Sequence, residues 1–104
     1  MPKHKFRAKI TERNSIKFSS KAEALYYDKL CLLQRTGEIV GFLRQPMFDI
    51  GGGVRHYADF QIFWANENVT FVDIKGYDTP QSKAKRKQTE AAYPWLTIEV
   101  VKKT

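Results

Sequence analysis

The stretch that most limits what this chain can become is residues 57–76, YADFQIFWANENVTFVDIKG. Two runs rich in aromatic and β-branched residues flank Asn66 and Glu67, which reads as a hairpin. Asp59 falls on the first run, Asp73 and Lys75 on the second. Alternate residues of a strand share a face. Tyr57, Asp59, Gln61 and Phe63 therefore line one face of the first strand, and Val69, Phe71, Asp73 and Lys75 one face of the second. Depending on the turn, Asp59 stands opposite Asp73 or Lys75. Either register keeps both acids and the lysine together, whereas a one-residue slip separates them.

Two carboxylates side by side repel, and burying them unpaired costs roughly several kcal/mol. A divalent cation relieves both problems, and oxygen ligands of this kind suit Mg²⁺ or Mn²⁺. The lysine can then hold or polarise a water beside the ion. A lone D-x-K more often marks a partly buried Asp–Lys salt bridge; the hairpin and the partners described below favour the metal.

At 104 residues the chain has the size of one domain. Its core is small enough that oligomerisation would help it. The formal net charge of +7 and pI near 9.6 suit a polyanionic partner, most simply nucleic acid. Solubility alone would also account for the charge. An anionic membrane is the rival surface, but no basic amphipathic helix with an apolar Trp/Leu face is visible. Cys31 is the single cysteine, so neither an internal disulfide nor a Cys/His zinc cluster can form. His4 and His56 are far apart and lack metal-ligand spacing. A reducing compartment fits. No run of membrane-spanning length and no signal-peptide core follows the basic start, so the expected location is the cytoplasm.

Residues 1–18 carry six Lys or Arg against one acid, Glu12. Lys3, Lys5 and Arg7 in this arm can grip phosphates, or the arm is a solvated terminus. Part of 8–18 reads as a strand or a hairpin around Arg13-Asn14. Residues 20–36 read as a helix. Ser20 with Glu23 three later makes a capping-box pattern, and Gly37 is a natural stop. Ala22, Leu25, Tyr26, Leu30 and Leu33 form its expected apolar face, with Glu23 at the edge. Glu23 either caps the helix or serves as a third carboxylate aimed at the metal.

Residues 39–50 read as one long strand or two short ones interrupted by Pro46, which places them at an edge or beside a bulge. Gln45 borders the site or satisfies local backbone. Gly51-Gly52-Gly53 is a turn; no Lys-Ser/Thr and no helix follow it, so it is not a phosphate loop. Thr79 and Pro80 open a second helix as N-cap and first residue, which runs to about Ala92 before Pro94. Ala84, Gln88 and Ala91 are expected to face inward, Gln88 near the site. Lys83, Lys85, Arg86 and Lys87 read as a phosphate grip or as a solvated face. Residues 95–101 form a last strand, for which a parallel partner with right-handed crossover is expected. There are no internal repeats. The fold class is α/β, with element order α-β-β-β-α-β and a small mixed sheet flanked by helices.

That order, with an acid in the first helix and D…DxK on the hairpin, resembles the PD-(D/E)XK nuclease superfamily, the fold of many restriction endonucleases and Holliday-junction resolvases. More narrowly the chain looks like a small phage-associated family within it. The matching stretches are FSSKAEALYYDKL (18–30), GEIVGFLRQPMFDI (37–50), YADF (57–60), VDIKGYDT (72–79) and the Tyr-Pro at 93–94. Ala58 stands where the name-giving proline would be.

The resemblance implies a restriction-endonuclease-like core and Mg²⁺-dependent (or Mn²⁺-dependent) phosphodiester hydrolysis. Asp59, Asp73, Lys75 and Glu23 would be the catalytic residues. Asp59, Asp73 and the Ile74 carbonyl would hold the metal, with Glu23 binding directly or through water. Lys75 would orient the attacking water. The basic arm and Lys83, Lys85 and Lys87 would position DNA through its phosphates. Phage nucleases of this compact type often act on branched DNA, so a resolvase-like endonuclease working as a homodimer, in the cytoplasm of a bacterial host, is the expected function. The alternatives are a non-catalytic nucleic-acid-binding module, and a phage structural or interaction protein with a vestigial site.

Overall fold

The structure is a computed structural model and describes residues 10–102. The chain opens on a small hairpin, β1 (Thr11–Arg13) and β2 (Ile16–Phe18). Asn14 and Ser15 turn it with φ of 51° and 66°, the left-handed pair that matches strand twist in two-residue loops. Helix α1 (Lys21–Thr36) follows. The Ser20 side chain caps it by accepting from the Glu23 N–H, and Gly37 ends it at φ 86°.

Strands β3 (Ile39–Arg44), β6 (Phe60–Trp64), β7 (Val69–Lys75) and β8 (Ile98–Lys102) build a four-stranded mixed sheet in the order β3-β6-β7-β8. The first two pairings are antiparallel and the β7–β8 pairing is parallel. Strands β4 (Met47–Asp49) and β5 (Arg55–Tyr57) form a separate hairpin. Gly51, Gly52 and Gly53 turn it, all with positive φ that residues with a Cβ adopt reluctantly. Helix α2 (Pro80–Ala92) crosses from β7 to β8, with Thr79 as N-cap.

Each sheet face has its own core. On one face Phe60, Ile62 and Val72 meet Ala24, Tyr27 and Leu30 of α1. Phe42 packs edge-on to both Tyr27 and Phe60. On the other face Phe71 and Ile98 meet Phe48, Ala58 and Leu96. The second cover therefore comes from the β4–β5 hairpin and the 93–96 segment. Helix α2 touches β5 rather than lying flat on the sheet, so only one of the two expected helical layers lies on it.

Several local expectations need correction. The buried stripe of α1 is Glu23, Ala24, Tyr27 and Leu30; Leu25 is 51% exposed. In α2, Ala84, Gln88 and Ala91 are exposed, while Ser82, Arg86, Thr89 and Glu90 face inward. The reason is polar: Arg86 makes a two-pronged contact with buried Asp78, and Glu90 accepts from the Ile98 N–H at 2.8 Å. Strand β8 begins at Ile98, three residues later than expected. The long 39–50 strand is two strands: Gln45 at φ 54° and Pro46 break it, and β4 leaves the sheet. As expected for the strand leading into Pro46, β3 is an edge strand with an irregularity between Ile39 and Gly41.

Candidate active site

The β6–β7 register pairs Phe60 with Val72 and Gln61 with Phe71. Continued by one residue, it brings Asp59 opposite Asp73. Asp59 itself lies in the bend between β5 and β6, not on a strand. Its N–H is shared by two acceptors, the Val72 carbonyl at 2.9 Å and Asp73 Oδ1 at 3.2 Å. Its carboxylate turns onto β7, where Oδ2 accepts the Ile74 N–H at 2.6 Å. A side chain thus takes the N–H that a continuing strand's carbonyl would have bonded. A strand residue's N–H and C=O point the same way, so the Ile74 carbonyl also faces the Asp59 side.

Asp73 is 1% exposed, and its Oδ2 has no hydrogen-bond partner. Lys75 follows on the same face of β7, half-buried. Glu23 is buried at 6% exposure and accepts from Ser19 Oγ at 2.9 Å. It approaches from the α1 side, so the acids gather around the end of the sheet rather than on one face. Burial pushes the Asp59 carboxyl up to about 7; the Ile74 N–H and Lys75 oppose this, and the charges of Glu23 and Asp73 add to it. Glu23, Asp73 and Lys75 are thus all within electrostatic reach of Asp59.

The donor set fits a hard divalent cation. Buried, mutually repelling carboxylates and an orphaned Asp73 oxygen call for a positive charge. Among the described residues no three His, Cys, Asp or Glu side chains form a ready-made metal cage. Mg²⁺ needs less, because it takes one or two carboxylates and keeps several waters. Asp59, Asp73 and the Ile74 carbonyl could supply that, with Glu23 through water.

Residues 3–104 match the family described as "Protein of unknown function (DUF1064)". The chain belongs to the DUF1064 family. A search of the curated proteins finds no match.

Other expected residues of this DUF1064 protein fall differently. Gln45 is exposed and contributes its backbone, whose N–H donates to the Asp59 carbonyl at 3.0 Å. Gln88 is exposed on α2 and does not border the site as expected, because the inward face of that helix is taken by Arg86 and Thr89. Lys83, Lys85 and Lys87 are exposed. Arg86 is committed to Asp78, whose carboxyl it holds below the usual range. Lys3, Lys5 and Arg7 lie outside the described residues.

Two features escaped sequence reasoning. His56 is 8% exposed, with Nε2 3.5 Å from Asp73 Oδ2; only its nearness in sequence to Asp59 hinted at this. A groove of about 430 Å³ runs between α1 and the end of the sheet, with Ile74 and Val101 in its lining. Lys21, Lys29 and Lys102 also line it, from elements that no sequence motif joins. Ile74 faces this groove from the α1 side of β7, opposite to Asp73 and Lys75 on the same strand, and none of Glu23, Asp59, Asp73 and Lys75 lines it. No helix among the described residues is long and apolar enough to cross a membrane.

Proposed function

We propose that this DUF1064 protein is a metal-dependent DNA endonuclease with a restriction-endonuclease-like core, acting on branched DNA in the manner of a Holliday-junction resolvase. The observation that carries this reading is the bonded junction of Asp59 and Asp73, with Glu23 and Lys75 in electrostatic reach, at one end of a mixed sheet. The succession α1, β3, β6, β7, α2, β8 in and around that sheet supports it, as does the +7 charge.

Asp59, Asp73 and the Ile74 carbonyl would hold Mg²⁺ or Mn²⁺, which when bound polarises the phosphoryl oxygen and acidifies a water. Lys75 orients the attacking water and offsets negative charge as it develops on the phosphate. That water would form the new P–O bond as it gives up a proton to solvent, the bond to the leaving sugar oxygen would break, and the leaving oxygen would take up a proton from solvent. Asp59 and Asp73 stay fixed through their shared backbone bonds, so no covalent enzyme intermediate is required. The three groove lysines and the exposed lysines of α2 hold the backbone through phosphates, without reading sequence. A two-fold dimer would make the paired cuts that a four-way junction needs.

A labelled panel of linear duplex, single strand, flap and four-way junction, incubated with Mg²⁺ or Mn²⁺, tests this. Metal-dependent cleavage with preference for the junction is the expected result. The +7 charge by itself fits a second reading, a nucleic-acid-binding module. It would bind the same DNAs in a salt-sensitive way and cut none.

A further inference from the structure

We propose that His56 is itself a ligand of the cation at Asp73, making the centre a mixed nitrogen and oxygen site suited to Mn²⁺ or a similar first-row transition ion. The proposal rests on reading Asp73 as a metal ligand and adds a donor that lies outside the acidic motif.

His56 belongs to the β4–β5 hairpin, where it pairs with Phe48. It reaches the acidic centre because the chain switches sheets just after it: Ala58 N–H bonds the Pro46 carbonyl, and Asp59 N–H bonds β7. One short segment, 56–59, thus delivers both His56 and Asp59 to Asp73. His56 Nε2 and Asp73 Oδ2 face each other at 3.5 Å. Both are sealed from solvent, and neither has a hydrogen-bond partner. Leaving a buried polar atom unsatisfied is costly, and an ion held between these two would satisfy both.

The spacing suits a shared ion. Two donors at roughly 2.0–2.2 Å from one metal stand about 3.0–3.5 Å apart in octahedral or tetrahedral geometry. A direct N–H···O bond would bring them to about 2.7–3.2 Å. Imidazole nitrogen suits first-row transition ions, whereas Mg²⁺ prefers oxygen. His56 therefore bears on which ion the site selects.

The test uses the full chain with Mn²⁺ alone as probe, read by pulsed electron paramagnetic resonance and calorimetry. A directly bound imidazole imprints a ¹⁴N modulation on the Mn²⁺ signal. The wild-type chain should show it, and ¹⁵N-histidine labelling should shift it. His56→Gln should remove the modulation and weaken Mn²⁺ binding about tenfold or more, with Mg²⁺ binding changed less than about threefold. Asp73→Asn should weaken both ions. If His56→Gln does not fold, the labelled His4→Ala chain, which retains only His56, gives the same answer. Mn²⁺ bound by wild type without nitrogen modulation overturns the His56 assignment and leaves the carboxylate site standing. Failure of wild type to bind either ion instead removes the metal reading of Asp59 and Asp73 altogether.

Discussion

Asp73 and Asp59 sit in different surroundings although both belong to one acidic centre. Asp73 is sealed, with one oxygen on the Asp59 N–H and the other without a hydrogen-bond donor, 3.5 Å from His56 Nε2. Replacing it with Ala should reduce metal-dependent cleavage on the order of 100-fold or more while DNA binding measured without metal survives. Retained cleavage in a clean preparation would falsify the assignment. Asp59 is the titrating member. Its folded pKa is raised from 3.8 to about 7, so between those values the folded chain keeps a proton that the unfolded chain has released. Stability of the metal-free protein is therefore fullest below pH 4 as far as this group is concerned, and it falls as pH rises to about 7. Asp59→Asn keeps an oxygen for the Ile74 N–H and should flatten that dependence in thermal melts from pH 4 to 7. A slope unchanged in the variant would assign it to other groups.

Among the elements, α2 is held by polar anchors rather than by an apolar stripe. Asp78 and Arg86 are both nearly buried, with 6% and 11% side-chain exposure. Breaking such a pair from one side leaves an uncompensated charge, so Arg86→Met should lower the stability. The double change Asp78→Leu with Arg86→Met should lie closer to wild type, as denaturant titration would show. On the outer face of α2, changing Lys83, Lys85 and Lys87 together to Gln should leave stability nearly unchanged. If they touch phosphates, DNA affinity should fall, and the slope of log K against log salt should shrink by up to about 3. An unchanged slope would restrict the grip to other lysines, the groove set first. Helix α1 shows how propensity and packing divide the work: Ser20 and Gly37 set its limits, but the core on its side of the sheet decides which way it rolls. Leu25 is thereby left outside and Glu23 is buried.

At the scale of the whole molecule, the proposed metal site would couple ion binding to stability. Divalent ion binding to deprotonated Asp59 and Asp73 would displace a proton below about pH 7. Saturating Mg²⁺ should therefore raise the melting temperature at pH 7.5, with the gain fading as pH falls to 5. A gain independent of pH would mean that the ion binds elsewhere.

Periodicity and local chemistry carried much of the architecture into view. The hairpin itself, both N-caps, the Gly37 stop and the edge position of β3 follow from short-range rules, because each depends on residues only a few positions apart, whereas the choice between the two hairpin registers came from the structure. The approach of Asp59 to Asp73 was legible for the same reason: a tight hairpin admits few registers. What local pattern could not supply depends on which distant surfaces meet. The switch of the chain at Ala58-Asp59 is one example, since it needs Pro46, Val72 and Asp73 in place. The inward roll of Glu23 and the polar face of α2 are others. His56 carries no signal in its spacing, and it becomes part of the centre because the β4–β5 hairpin folds over the far face of the sheet and sets its imidazole against a carboxylate seventeen residues on.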